Sequence, residues 1–317
     1  MKPPGVLFAL TILAACIVVL PWLAPYDASR QFAGYPYAPP MRPHVVDAEG
    51  RWRMPFAYAL RSVDPIERTY AEDRSRRVTF GGGGDPWFLF GSDALGRDVL
   101  SRLLAGARLS LGVAVISTIL ALLMGALAGA VAGYAGGWLD AVLMRVADFV
   151  LVLPGIYVAL ALRGALPSVL SDEDIFAALV IVLALAGWPS AARGVRGIVI
   201  VQRREEYAEA ARALGASTWR ILWRHLLPST RGFLAVQATV LLPAFIVAEA
   251  TLSFVGIGFA PPAPSWGAML RDAASVRVAA DAPWLFAPSA AIFITVLWVH
   301  IVGERADPIS GSYFLSN

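Results

Sequence analysis

The sequence predicts an all-α integral membrane protein with six transmembrane helices, and its composition is the first reason. Hydrophobic residues make up 58% of the 317 residues and charged residues only 15%, whereas soluble domains average about 45–50% and about 25%. The second reason is that six stretches approach the roughly 20 apolar residues that a helix needs to cross a bilayer core. The third is that one short interior loop, from Arg193 to Arg231, holds eight arginines. A soluble domain of this composition would expose large apolar patches and aggregate.

The six apolar stretches define the expected organisation of the chain. In order they are Pro3–Tyr26, Leu109–Leu139, a stretch centred on Phe149–Leu162, Ile175–Ala192, Gly232–Ala248 with a short extension, and Pro283–Val302. We therefore expect four regions: a first transmembrane helix in 1–26, an extracytoplasmic segment in 27–108, a transmembrane core in 109–303 that contains a cytoplasmic loop at 203–228, and a short cytoplasmic tail in 304–317. The glycines of the second stretch suit close approach between helices.

The segment between the first two stretches has a different character. It carries many charges, several prolines and the glycine run 81–84. Lipid cannot hold such irregular backbone, because its peptide groups would lack hydrogen-bond partners. Its last part, Gly91–Leu111, has apolar residues at helical spacing, with Asp98 and Arg102 on another side. This pattern predicts an amphipathic helix at the membrane interface that leads into the second span.

Orientation follows from the positive charges of the short loops. The loop between the fourth and fifth stretches holds eight arginines: Arg193, Arg196, Arg203, Arg204, Arg212, Arg220, Arg224 and Arg231. Short loops rich in arginine remain in the cytoplasm, whereas loops longer than about 60 residues escape this rule. With six spans, both termini are then cytoplasmic and the long segment 27–108 faces outward.

Several classes of protein are excluded by residue counts. Lys2 is the only lysine, so the chain lacks the P-loop lysine that contacts nucleotide phosphates. Cys16 is the only cysteine, which rules out an internal disulfide and a cysteine-based metal cage. The three histidines are scattered, and the arginines form no basic face interleaved with aromatics, so we expect neither a metal site nor nucleic-acid binding.

The loop around Glu206–Pro228 has the pattern of a short helix, a turn and a second helix. Acidic residues come first and Arg212 follows, as the helix dipole favours, and Glu209 and Arg212 are spaced to meet across one turn. Gly215 permits the helix to end. The alanines before it leave a slim helix that fits a groove on another protein, so the loop is a candidate docking lever. The alternative is a solvated polar loop.

These residues resemble a known family. Glu209, Ala210 and Ala211, followed by Gly215 and by Leu227-Pro228, match the EAA loop of binding-protein-dependent ABC importer permeases. More specifically, the chain resembles the second-permease (C-type) branch of the dipeptide/oligopeptide/nickel family over roughly residues 88–303. The matching blocks are Phe90–Arg102, Gly106–Leu111, Ala132–Trp138, Ala248–Phe254 and Pro261–Gly267.

The resemblance implies a non-catalytic permease subunit in the inner membrane of a bacterium, which moves peptides or similar small solutes into the cell by alternating access. It implies four kinds of partner: a second homologous permease, two ATPase subunits, an extracytoplasmic solute-binding protein and membrane lipid. The EAA residues would sit in a groove of an ATPase. ATP and Mg would be bound by the ATPases, and no cofactor is expected on this chain. The chain departs from the family in the long segment 31–84 and the shortened tail.

Ionisable residues in or beside apolar spans are functional candidates. Glu249 lies near the outer end of the fifth span and Asp148 at the start of the third. Either could line the translocation path or contact a partner helix, and the alternative for Asp148 is a structural pair with Arg145. The alternatives to an importer are a secondary transporter and an intramembrane hydrolase. A secondary transporter would show inverted repeats, which we do not detect, and an intramembrane hydrolase built on Ser190 lacks a nucleophile elbow and a patterned histidine.

Overall fold

The computed structural model describes residues 4–47, 49–64, 67–79, 85–153 and 171–305. The chain forms two compact units. The first combines Met1–Ala14, Val113–Glu249 and Thr295–Asn317, and the second combines Ala15–Gly112 with Ala250–Ile294.

Helices dominate the described chain. They are α1 Pro4–Val19, α2 Val99–Ala135, α3 Gly137–Val152, α4 Asp172–Gln202, α5 Glu206–Ala213, α6 Thr218–Ile221, α7 Leu227–Ser229, α8 Arg231–Val255, α9 Trp266–Asp272, α10 Val276–Asp281 and α11 Ala287–Arg305. A π-helical turn, Leu222–Leu226, joins α6 to α7, and 3₁₀ turns occupy Leu20–Leu23 and Pro283–Phe286.

Four helices are long and apolar enough to cross a membrane: Val99–Ala135, Asp172–Gln202, Arg231–Val255 and Pro283–Gly303. They confirm the second, fourth, fifth and sixth predicted spans. For the first span the structure shows α1, whose apolar part together with the following 3₁₀ turn, Thr11–Leu23, is shorter than a membrane span. For the third it shows α3, while most of the predicted stretch 149–162 lies outside the described residues. The count of six spans therefore stays a prediction.

Glycines hold α2 close to α4 in the first unit. Gly125, Gly129 and Gly133 repeat every four residues along α2, and a Cβ on any of them would clash with the backbone of α4. At Gly133 such an atom would lie 2.8 Å from the carbonyl oxygen of Arg196. In a membrane, where lipid competes equally for apolar contacts, this close approach is a main source of helix association.

A second kind of glycine contact joins α4 to α8. A Cβ on Gly187 would lie 2.6 Å from the ring tip of Phe245, and one on Gly194 would overlap the ring of Phe233. Here the neighbouring atoms belong to side chains. The α4–α8 contact is therefore built from aromatic rings that fill the space over a bare helix backbone.

The prediction of an all-α fold is wrong in the segment before α2. This segment contains a three-stranded antiparallel sheet, in the order β1 His44–Val46, β2 Trp52–Asp64 and β3 Thr69–Thr79. The run Phe56–Leu60 in the middle of β2 is buried, while both ends of that strand are exposed. The two faces of β2 are thus both covered at the centre, which hides the apolar–polar alternation that usually marks a strand.

The sheet packs on a small apolar core of the second unit. Its buried members are Ala38, Met41, Ala57, Ala59, Leu60, Val78, Trp87 and Phe88. On the other face of the sheet, the ring of His44 contacts Phe56 and Tyr58 at centroid distances of 5.8 and 5.0 Å. The segment is therefore a folded element with its own core.

The predicted amphipathic helix also begins later than expected. The chain before Val99 forms a turn in which the carboxylate of Asp93 accepts hydrogen bonds from the backbone N–H groups of Leu95 and Arg97, at 2.9 and 3.0 Å. Asp98 then caps α2, because its carboxylate accepts the backbone N–H of Ser101 at 2.7 Å. A carboxylate in this position satisfies a free N–H group and suits the helix dipole.

Asp98 and Arg102, expected on a polar side of the helix, are instead buried, with only 2% and 1% of their surface exposed. Arg102 pairs with Asp93 and lies 3.4 Å from Asp272, while Arg97 lies 2.7 Å from Asp93. We call these five residues the buried ion cluster. It ties the start of α2 to α9 within the second unit.

Candidate functional site

The candidate coupling loop lies in the first unit between α4 and α8. Its first helix, α5, begins at Glu206 and ends at Ala213, with acids in its first turn and Arg212 in its last. Glu209 and Arg212 approach to 3.9 Å, as their spacing predicted. The helix, the turn after it and the second helical stretch all agree with the pattern in the sequence.

Gly215 ends α5 in a left-handed conformation, with φ +78°. The N–H of Gly215 donates to the carbonyl of Arg212 at 2.9 Å, and the N–H of Ala216 donates to that of Ala211 at 3.0 Å. This pair of bonds is a Schellman motif, for which glycine is the usual residue. A Cβ on Gly215 would meet no atom within 4 Å, so the requirement for glycine here is conformational.

The inner side of the loop is fastened to the membrane helices. Ile221, Leu222 and Leu226 are buried against the ends of α2 and α4, in a cluster whose other buried members are Ala126, Ala130, Val195 and Val199. Ala208 is also buried, and Ala211 and Leu227 pack at the edge of this cluster. The loop therefore packs directly on the ends of α2 and α4.

Two arginines add polar ties to this attachment. Arg212 donates to the backbone carbonyl of Arg203 at 2.6 Å, and Arg203 donates to that of Tyr134 at 2.7 Å. This chain of bonds joins the end of α5 to the ends of α4 and α2. Pro228 lies in the first turn of α7, directly before α8.

The outer side of α5 is exposed. Glu209 and Ala210 are exposed, and Leu214 is 88% exposed. A slim helix with a small-residue face therefore projects from a firmly held base. The six coupling candidates thus divide into an outward group of Glu209, Ala210 and Gly215 and a group of partly buried residues, Ala211, Leu227 and Pro228.

Asp148 of α3 is exposed and pairs with Arg193 of α4, not with Arg145. A second pair joins the same two helices, since Arg196 contacts Asp140 at 2.6 Å. Both partners lie more than 40 positions away in the chain, so sequence spacing could not find them. The sequence gives one indication of these pairs. Arg193 and Arg196 follow the apolar stretch of the fourth predicted span, and Asp140 and Asp148 precede that of the third.

Two other residues occupy less accessible positions. Glu249 is fully buried in α8. Ser190, considered as a nucleophile, donates to the carbonyl of Gly187 at 2.9 Å and accepts a hydrogen bond from Gln237 at 3.0 Å. These two partners are a backbone carbonyl and an amide, and neither is a base that would activate a hydroxyl.

Comparison with known proteins decides the family. A profile described as "Binding-protein-dependent transport system inner membrane component" matches residues 121–307, which include the whole coupling loop. The chain belongs to this family. The binding-protein-dependent permeases are non-catalytic membrane subunits of ABC importers, and this chain is accordingly a multi-pass inner-membrane permease of that kind.

Curated relatives place the permease more narrowly. The glutathione transport system permease protein GsiD of Pectobacterium atrosepticum is 38% identical over 68% of this chain and 69% of its own length. GsiD of Shigella flexneri is 42% identical over the same shares. These relatives confirm the peptide/nickel branch. A solved structure of the MetNI methionine ABC transporter has a TM-score of 0.49 at 19% identity, over 64% of this chain and 93% of that one.

Proposed function

We propose that this permease imports peptides or similarly sized solutes through a complex with a second homologous permease, two ATPase subunits and an extracytoplasmic solute-binding protein. The coupling loop carries the proposal, because a slim exposed helix stands on a base fixed to α2 and α4. ATP and Mg belong to the ATPase subunits. The relatives are permeases for glutathione, which favours a small peptide as the solute.

The mechanism we propose is alternating access driven through α5. When ATP closes the ATPase pair, each coupling helix moves with the groove that holds it. Because Ile221, Leu222 and Leu226 are buried against α2 and α4, that displacement reaches the ends of these helices without an intervening flexible joint. The spans then rearrange to open the path outward, and hydrolysis resets them.

Two substitutions test the coupling role. Gly215→Leu forces a branched residue into a left-handed conformation and places a bulky side chain at the outer surface, while Glu209→Lys reverses an exposed charge. Gly232→Leu, in which the new Cβ also starts in open space, and Glu173→Lys, at the exposed start of α4, are matched controls. We expect the two loop variants to lose co-purifying ATPase and transport while the controls keep both. Full assembly and transport in both loop variants would show that the loop is a solvated connection.

We further propose six spans with both termini in the cytoplasm. Leu214 and Met54 are 88% and 85% exposed, and the proposal puts them on opposite sides of the membrane. In a Cys16→Ser background, an impermeant maleimide should label Met54→Cys on intact cells and Leu214→Cys only after permeabilisation. The reverse pattern would overturn the orientation.

The sheet in 44–79 is proposed as a cap at the outer mouth, where the solute-binding protein docks. Supporting this, Trp52 and Met54 are 81% and 85% exposed at one end of β2, and tryptophan, methionine and arginine are enriched in interfaces. Deleting the whole segment from Gln31 to Gly84 would also remove Phe32, whose backbone abuts Gly96. Trp52→Ser with Met54→Ser is therefore the sharper variant, and it should weaken docking while leaving ATPase assembly intact.

Asp148 and Glu249 remain the proposed path or interface residues. Asp148 is favoured by its exposure beside Arg193, since a charged pair turned toward lipid is costly and such residues face water or another helix. Glu249 is buried in this conformation and would take part only after the spans rearrange. The solute itself can be identified from the ligand that co-purifies with the solute-binding protein.

A further inference from the structure

The second half of the coupling loop carries an exposed aromatic surface that docking of α5 does not use. Trp219 and Trp223 are 63% and 49% exposed, and their rings contact each other at a centroid distance of 5.3 Å. Arg220 and Arg224, one position further along the chain, are also exposed. We call these four residues the Trp–Arg face.

The opposite side of the same segment fixes its depth along the membrane helices. Ile221, Leu222 and Leu226 pack against Ala126 and Ala130 of α2. The same cluster contains Val195 and Val199 of α4. These valines lie among Arg193, Arg196 and Arg203, the first charged residues after the apolar stretch of that helix. The segment therefore packs where α4 leaves the hydrocarbon layer, at the level of the headgroups.

The positive charge of the loop also favours a position beside the lipid headgroups. The loop from Arg193 to Arg231 has eight arginines against three glutamates. Within the parts of the chain that the structure describes, neither Arg220 nor Arg224 has a carboxylate within 4 Å. Tryptophan rings favour the boundary between headgroups and acyl chains, and basic residues beside the cytoplasmic leaflet are attracted to anionic lipids.

We propose that the Trp–Arg face is a binding site for anionic phospholipid of the inner leaflet. The two indole rings lie at the acyl boundary, and the two guanidinium groups contact lipid phosphates. The loop then has two separate contacts: α5 binds the ATPase, and the Trp–Arg face rests on lipid and holds the base of the loop at a set depth. This inference depends on the cytoplasmic orientation proposed above.

The test uses the complete transporter in nanodiscs of phosphatidylcholine, with and without phosphatidylglycerol. The probe is phosphatidylglycerol, and the variant is Arg220→Gln with Arg224→Gln. Each arginine near a charged leaflet contributes about 1 kcal/mol, so losing two should weaken phosphatidylglycerol binding about 30-fold. Arg204→Gln, an exposed arginine of the same loop outside the face, is the control and should change binding little.

A second measurement, of tryptophan fluorescence, reports on the two indole rings. Emission from Trp219 and Trp223, obtained as the difference between wild type and Trp219→Phe with Trp223→Phe, should be quenched by lipids brominated near the headgroup. The proposal would be overturned if brominated lipids did not quench this difference emission and if the arginine variant bound phosphatidylglycerol as tightly as the wild type. Loss of ATPase subunits from the arginine variant in both lipid mixtures would show that the face binds protein instead. Labelling of Leu214→Cys on intact cells would refute the orientation itself, which separates the two failures.

Discussion

Replacing Gly129 with alanine tests the packing of α2 on α4. The new Cβ would lie 2.9 Å from Cβ of Val195 and 3.0 Å from the backbone nitrogen of Arg196, and closer still to the carbonyl oxygen of Ala192. Two of these neighbours are backbone atoms, which cannot change rotamer. The helices must therefore separate by roughly 0.5–1 Å, and a gap of that size forfeits a quarter to a half of each dispersion contact along the seam.

The expected loss is about 1–3 kcal/mol from overpacking, offset by about 1 kcal/mol because alanine is a better helix former than glycine. The net destabilisation of about 0–2 kcal/mol should lower the apparent melting temperature of the purified permease by up to several degrees. Gly197→Ala is the matched control, because it lies on α4 and its new Cβ meets nothing within 4 Å. Equal melting temperatures for the two variants would refute the argument that backbone contact at Gly129 sets the helix spacing.

Three further predictions concern the segment before α2 and the first turns of α2. Burial raises the pKa of Asp98 to about 6, above its value of 3.8 in the unfolded chain, so ionisation of this carboxyl opposes folding. The free energy of unfolding should therefore fall by roughly 3 kcal/mol as the pH rises from about 4 to about 6. In melting curves, Asp98→Asn should reduce this dependence of stability on pH. Arg102→Leu removes one of the two arginines that pair with the buried Asp93 and should cost up to about 3–5 kcal/mol in chemical unfolding, whereas the exposed Arg51→Leu should cost little. Asp47 accepts hydrogen bonds from the backbone of Glu49 and Arg51 and pairs with Arg53. Asp47→Ala should therefore speed protease cleavage of the β1–β2 turn several-fold relative to the control Glu67→Ala. Equal cleavage rates for the two variants would contradict this prediction.

Much of the membrane core could be predicted because its signals are local. A long uncharged run identifies a span by length alone, as in the four confirmed helices. The end of α5 at Gly215 was predictable for the same reason, since a Schellman turn depends on residues within six positions of one another. Hydropathy could also indicate Asp148 as unusual, but not its partner Arg193, which lies on another helix.

The sheet could not be predicted from the same signals. Its central strand is buried on both faces through Phe56–Leu60, so polar and apolar residues do not alternate there. The partner strand β3 bulges, with Tyr58 opposite Arg77 and the next residue, Ala59, opposite Asp73. The buried position of Arg102 was equally hidden, because its burial depends on carboxylates that the fold brings to it, Asp93 and the distant Asp272.

The glycine contacts described above set different evolutionary constraints. At Gly129 and Gly133 the obstructing atoms include backbone oxygens of α4, so no change in a neighbouring residue makes room for a side chain. At Gly187 and Gly194 the obstruction is the ring of Phe245 or Phe233, and a smaller partner would remove it. Among related permeases, we therefore expect the first two positions to remain glycine regardless of context. The other two should become alanine where the facing aromatic has been replaced, so that each pair covaries.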